Sequence, residues 1–447
     1  MDRGKTSALL LPLLCLLLLT EPGLAETTAQ TGADQAERAQ RITEGPVISE
    51  LVAFALEHNP SLTATRQGWR AAVEGYRVAR AYPDPRLSLA YPVNSRIGDE
   101  EWNVALSQGI PFPGRLNAEG GRAEAGVRLA RTAHDKAVRE LTVKVRQTAH
   151  ELIYLRQAAA ISAANQALLH QVLTAGTGDF ARERTALIDL AKAGAQAGQL
   201  RYDEQLLGEQ ATSELARLNA LLGRPPAMAI GPLSAPPVLP LVYSLEELYT
   251  FVAEAAPEVL LAQAARDKAE RALTVARYAT LPSFEVGVYA DSIKDSAPTE
   301  DNARTGLKTV GATLSLTLPL WFDKNEGLHA EARAKLEQAK AEVAARINEA
   351  RAETSRLAFR LHNAERLIRL YREELLPRAA GSMETAETWF REGKGGMGDY
   401  TETRTVWNSF QLALARAVAD QGQSLAALEG ITGRVLTEAA VTSGAEP

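Results

Sequence analysis

From Val310 to Leu318 the even positions are apolar (Val310, Ala312, Leu314, Leu316, Leu318) and the odd ones read Gly311, Thr313, Ser315, Thr317. That period of two predicts a strand with two unlike faces, stopped by Pro319. After the turn Asp323 to Gly327 the period becomes helical, and it runs to Arg391 with only Pro377 and Gly381 to disturb it. The same succession occurs earlier: the alternating stretch Val104 to Ile110 ends at Pro111 and Pro113, and a helical pattern of about 75 residues runs from Asn117 to Lys192, on the order of 110 Å if unbroken. Pro111 and Pro319 lie 208 positions apart (319 minus 111). The chain is a tandem repeat.

The remaining elements fall into the same frame. Residues 49–224 form the first repeat: a helix from Ser49 to Tyr82 restarted at Asn59-Pro60, strands near 86–91 and 101–110, and the long helix. A break at Gly194 to Gly198 is expected next, then a returning helix from Gln199 to Leu222 that ends in Gly223-Arg224. A proline-rich linker occupies 225–243. The second repeat, 244–434, has short helices from Ser244 and Pro257, strands near 283–291 and 309–318, and a long helix kinked at Pro377. It turns at Gly393, Gly395 and Gly396, returns from Asp399 to Ile431, and leaves a tail at 435–447. In each repeat the short helices nearly add up to the long one, which predicts end-to-end stacking in an elongated antiparallel bundle.

Each strand pair reads as a hairpin with one bulky apolar face: Leu87 and Leu89; Trp102, Val104 and Leu106; Phe284, Val286 and Val288; Leu314 and Leu316. Small or polar residues fill the other face, the alternation of lipid-facing and lumen-facing positions in outer-membrane barrels. About eight strands are the fewest that close a barrel, so four demand oligomerisation, and three chains would supply twelve.

Composition supports export and an elongated form. Of 447 residues, 6% are aromatic, low for a large compact core. Arg3 and Lys5, an apolar run from Ala8 to Leu19 and small residues before Ala25 read as a signal peptide over 1–25, followed by a polar arm at 26–48. The run is too short for a membrane span. Cys15, the single cysteine, lies inside it and lacks the small preceding residue of a lipoprotein signal, so no disulfide or catalytic thiol is expected. A net charge of -6 argues against nucleic acid.

The six histidines are scattered, Met383 and Met397 read as packing, and no phosphate loop, metal cluster or nucleophile with a base is found. An enzyme and a cofactor are not expected. The chain resembles the TolC-like outer-membrane efflux proteins on the doubled order of these units, on Ala55, Asn59, Pro60 and Leu62, and on Val78-Ala79-Arg80 before the first strand. Ser107 to Arg115 (SQGIPFPGR) and Leu318 to Gly327 (LPLWFDKNEG) look most like the heavy-metal branch, serving cobalt-zinc-cadmium or copper efflux.

That resemblance implies a mainly α protein with a small β part: a homotrimer with a twelve-stranded barrel in outer-membrane lipid and a long antiparallel α-helical barrel across the periplasm. It implies a periplasmic adaptor protein and an inner-membrane pump of the resistance-nodulation-division type as partners. It places Asp399 and Glu402, three apart and so on one helix face, at an acidic pore constriction. It makes the turns at Gly194, Gly198, Gly393, Gly395 and Gly396 adaptor contacts. A cap role for Asp399 after its glycine run fits the same residues. A type I protein secretion conduit and a non-channel coiled-coil envelope protein are the alternatives.

Overall fold

The computed structural model describes residues 40–91, 100–180, 187–293 and 308–437. The expected leader and most of the arm lie outside them, as do residues 92–99, 181–186, 294–307 and 438–447. The chain divides into two units. The smaller comprises Met1–Pro46 and Ala229–Pro232, where the Gly231 N–H donates to the Ile42 carbonyl at 2.9 Å. The larger comprises Val47–Met228 and Leu233–Pro447.

Helix α1 (Ile48–His58) gives way to α2 (Pro60–Ala79) at the Asn59-Pro60 step. Pro60 has no N–H to offer, and the Asn59 side chain accepts from the Leu62 N–H at 3.1 Å, so the second helix starts afresh. Strands β1 (Arg86–Ala90) and β2 (Glu100–Ile110) lead into α3 (Arg115–Phe180), whose 66 residues run about 100 Å. Helix α4 (Leu187–Leu221) returns.

The second repeat follows in the same order. Helix α5 (Leu245–Ala255) opens on a capping box between Ser244 and Glu247, and α6 (Pro257–Ala279) restarts at proline. Strands β3 (Ser283–Ile293) and β4 (Lys308–Thr317) feed α7 (Phe322–Arg369). Helices α8 (Leu376–Arg391) and α9 (Met397–Thr432) close the repeat.

Helix α2 and helix α4 both lie along α3, and α6 and α9 both lie along α7, while α6 and α9 also pack on α3. The end-to-end stacking expected from the lengths is what forms. Its joints are fastened by polar groups. Asn59 bridges one joint, donating from Nδ2 to the Leu221 carbonyl at 2.8 Å, and Gly223 (φ +70) sits where a Cβ would meet the His58 carbonyl oxygen at 2.6 Å. At the other joint Arg139 from α3 donates to the Ala255 carbonyl at 2.9 Å. There the core is Val252, Ala256, Val259 and Ala350, with Ile431 packed on it.

One expectation needs correction. Gly194 and Gly198 lie inside α4, so no break occurs there. Two glycines cost only about 1 kcal/mol each in a helix, and α4 packs along α3. Helix α3 ends at Phe180 and α4 begins at Leu187, and residues 181–186 lie outside the described residues. The kink at Pro377 takes the form of a π-helical turn over Leu370–Leu375, where the Leu376 N–H donates to the Tyr371 carbonyl. The wider turn relieves the clash of the proline ring with the preceding turn.

Candidate functional site

The four strands form one sheet in the order β1-β2-β3-β4, antiparallel throughout. The two hairpins are joined by β2 and β3, from different repeats. Directly paired residues of an antiparallel ladder share a face. Leu87 pairs with Leu106, Leu106 with Val288; Leu89 pairs with Val104; Val286 pairs with Leu314 and Phe284 with Leu316. Trp102, paired with Ser292, falls on the same side. All ten expected apolar positions therefore share one face, with Val310 and Ile110 added.

That face is uncovered in the single chain: Leu89 is 73% and Leu314 76% exposed. The opposite face carries Ser88, Ala105, Tyr289 and Gly311 in one row and Asn103, Asp291 and Thr309 in another, with the Asn103 amide donating to the Asp291 carboxylate. The Tyr289 ring lies over Gly311, filling the space a side chain there would need.

In this sheet β1 and β4 are the outer strands. β1 and β3 run away from the helices, β2 and β4 toward them. A β4 edge laid beside another copy's β1 edge would continue the antiparallel alternation.

At the far end α8 turns into α9. Gly393 adopts φ +68, and the N–H groups of Lys394 and Gly395 both donate to the Trp389 carbonyl, at 2.9 and 3.1 Å. Gly393, Gly395 and Gly396 are thus a true turn, as expected. Gly396 is the N-cap of α9, and no side chain caps it. Asp399 is not the cap residue; it lies in the first turn, where a carboxylate still suits the helix dipole. Asp399 and Glu402 are both exposed, and with Arg378, Ser382 and Phe410 they line a cleft of about 430 Å³ between α8 and α9.

The turn is fastened by a small core of Leu169, Ala193 and Met397 against Phe390. Phe390 stacks on Tyr400 at 5.3 Å, and burial raises the Tyr400 phenol above its ordinary pKa. Met383 and Met397 are buried, as packing requires.

Polar contacts between helices are the part that sequence reasoning missed. Arg404 donates to Asn165 at 2.8 Å, and Gln196 donates to Thr405. Arg416 of α9 holds Glu151 of α3 at 2.9 Å and Asp420 at 2.6 Å. Burial works against the Arg416 charge, yet these two carboxylates leave its pKa raised. Partners more than 200 positions apart carry no local signal. His150, buried beside Gly422 and near Arg146, has its pKa lowered to about 4, first by desolvation and then by the arginine. Among the described residues no cluster of three or more His, Cys, Asp or Glu could hold a metal, and no helix is long and apolar enough to cross a membrane.

The fold is shared with solved membrane proteins. A membrane protein from Pseudomonas aeruginosa is 18% identical over 86% of this chain and 90% of its own, with a TM-score of 0.72. The outer membrane protein VceC from Vibrio cholerae is 16% identical over 86% and 96%, at 0.69. The MtrE outer membrane channel of Neisseria gonorrhoeae is 17% identical over 87% and 89%, at 0.65. Residues 248–434, nearly the whole second repeat, match the family described as outer membrane efflux protein. No curated protein sequence matches the chain.

Proposed function

We propose that this chain is the outer-membrane channel of an efflux system, a passive conduit assembled from three copies. The observation that carries the reading is the four-stranded sheet with a continuous apolar face and two outer strands of opposite direction, in a chain whose second repeat matches the outer membrane efflux proteins. An apolar face in water and open edges are both unfavourable, and closure within lipid removes both. Two copies would give eight strands, whose interior fills with side chains; three give twelve and leave a lumen. Small and polar residues such as Ser88, Gly287 and Asn103 would line it.

In this reading the helices continue the conduit through the periplasm. Asp399 and Glu402 would repeat three times around its axis as a ring of negative charge favouring cations. The turn at Gly393, Gly395 and Gly396 is the proposed contact for a periplasmic adaptor, which links to a resistance-nodulation-division pump. Gly194 and Gly198, being helical, no longer serve that role as a turn. Heavy-metal cations are the proposed cargo, supported by Ser107 to Arg115 and Leu318 to Gly327.

Disulfide scanning tests the assembly. In a Cys15→Ser background, cysteines at Leu87 or Leu89 are combined with cysteines from Val310 to Leu316 and oxidised in membranes. One register should cross-link to species of three subunits and no larger. Monomers alone, or a ladder that passes three, would overturn the proposal.

A further inference from the structure

Helix α9 is covered on three sides. Helices α3 and α7 flank it, and α5 with the linker before it takes a third side, where Leu248 and Leu428 share a core and Gln421 Nε2 donates to the Leu239 carbonyl at 3.3 Å. Arg416, Asp420 and Gln423 stand on the fourth. At about 100° per residue, their mean direction is about 140° round the helix from that of Gln421, Leu425 and Leu428. In a tunnel wall one helix thick, α5 and the linker can lie only on the outside. The open side of α9 then faces the lumen.

That side carries a cleft of about 270 Å³ between α7 and α9, to which α3 contributes Gln147 and α7 contributes Arg360. Arg416 is held by Glu151 at 2.9 Å and Asp420 at 2.6 Å, and Gln423 Nε2 donates to the same Glu151 at 2.6 Å. This group has two carboxylates and one guanidinium, so it is left at −1. Along α7, Glu342, Arg346, Glu349, Glu353, Arg356 and Arg360 follow one another at spacings of 4, 3, 4, 3 and 4, which makes a single stripe. The first five pair among themselves, and Arg360 makes no ion pair among the described residues. Phe359 lines both this cleft and one on the α5 side, so it marks the flank of α7 that would meet a neighbouring copy. Arg360 is turned from that flank toward α9. Glu151 lies 36 residues into α3 (151 minus 115) and Arg360 38 into α7 (360 minus 322), both roughly 55 Å from the sheet end.

We infer that Arg360 sets the ion preference of the tunnel at its mid-length, by bringing the lumenal belt of Glu151, Asp420 and Arg416 to zero net charge. The inference rests on the conduit reading above. In three copies the loss of Arg360 leaves the belt at −3 (three times −1), while the charges that remain keep their partners. Such a belt acts on ions that pass within a Debye length of the wall, about 10 Å at 0.1 M salt. With Arg360 present the belt neither holds nor repels either sign, and the preference for cations is left to the tip.

The test is the reversal potential of channels in planar bilayers under a KCl gradient, with the full chain carrying Cys15→Ser. Arg360→Gln should raise the ratio of cation to anion permeability roughly twofold near 0.1 M salt. Arg360→Cys should do the same; a thiol reagent bearing a trimethylammonium group should return the ratio to that of wild type, and one bearing a sulfonate should raise it further. The two reagents compare one folded variant with itself, so a purely structural role for Arg360 would not follow their sign. Glu246→Cys, exposed on α5, should leave the ratio unchanged with either reagent. Conducting channels whose ratio ignores the charge at position 360, or follows the charge at position 246, would overturn the inference and leave the conduit standing. Well-folded trimers that conduct nothing would overturn both.

Discussion

Asn59 joins two helices with one side chain, and its replacement can be worked through in steps. It is 6% exposed; its oxygen caps the Leu62 N–H and its amide nitrogen serves the Leu221 carbonyl. Asn59→Ala removes the cap, about 1 kcal/mol, and orphans a carbonyl at the joint, about 1–3 kcal/mol more. Unfolding entropy of about 2.1 cal/mol/K per residue over ~400 residues converts ~3 kcal/mol into a fall in Tm of about 4 °C. Circular dichroism at 222 nm on the detergent-extracted protein reads this directly. Asn59→Ser keeps the acceptor alone and should recover only the cap's share. Asn59→Asp also keeps the acceptor, but it sets a carboxylate against the Leu221 carbonyl and should be no better than alanine. An alanine variant that melts with wild type, or an aspartate variant that fully recovers, would refute the account of the joint.

Three further outcomes follow from other contacts. His150 has a folded pKa of about 4 against an ordinary 6.5, so burial favours the neutral form. Its contribution is complete above pH 6.5 and falls away as pH drops toward 4, by about 3 kcal/mol in all; His150→Gln should flatten this part of the pH–stability curve. Gly311→Val should abolish assembly in membranes, because the new side chain would occupy the space of the Tyr289 ring, and the added change Tyr289→Ser should restore it. Arg404→Ala removes the bond to Asn165 and the stacking over Trp407 at 4.9 Å; hydrogen exchange around residues 160–170 and 397–407 should rise, by the equivalent of about 1–3 kcal/mol.

What the sequence revealed was what neighbours along the chain decide. The strand faces were legible because alternation is local, and the Asn59 and Ser244 starts because a cap acts within three residues. The β2–β3 pairing was not, since Leu106 and Val288 meet only after the intervening helices have folded. Gly194 and Gly198 misled because a glycine pair resembles a turn, while packing along α3 outweighs its modest helical cost. Pro377 did disturb its helix, but whether a proline yields a kink or a π turn depends on tertiary packing. Asp399 and Glu402 share one face of α9, as a spacing of three dictates; that Gly396 rather than Asp399 takes the cap position rests on backbone geometry.

Single-channel conductance in planar bilayers tests the conduit most directly, with purified wild type compared against Asp399→Ala combined with Glu402→Ala. The account predicts discrete, uniform channels from trimers, and a weaker cation preference or altered conductance in the variant. Well-folded trimers that conduct nothing would contradict it.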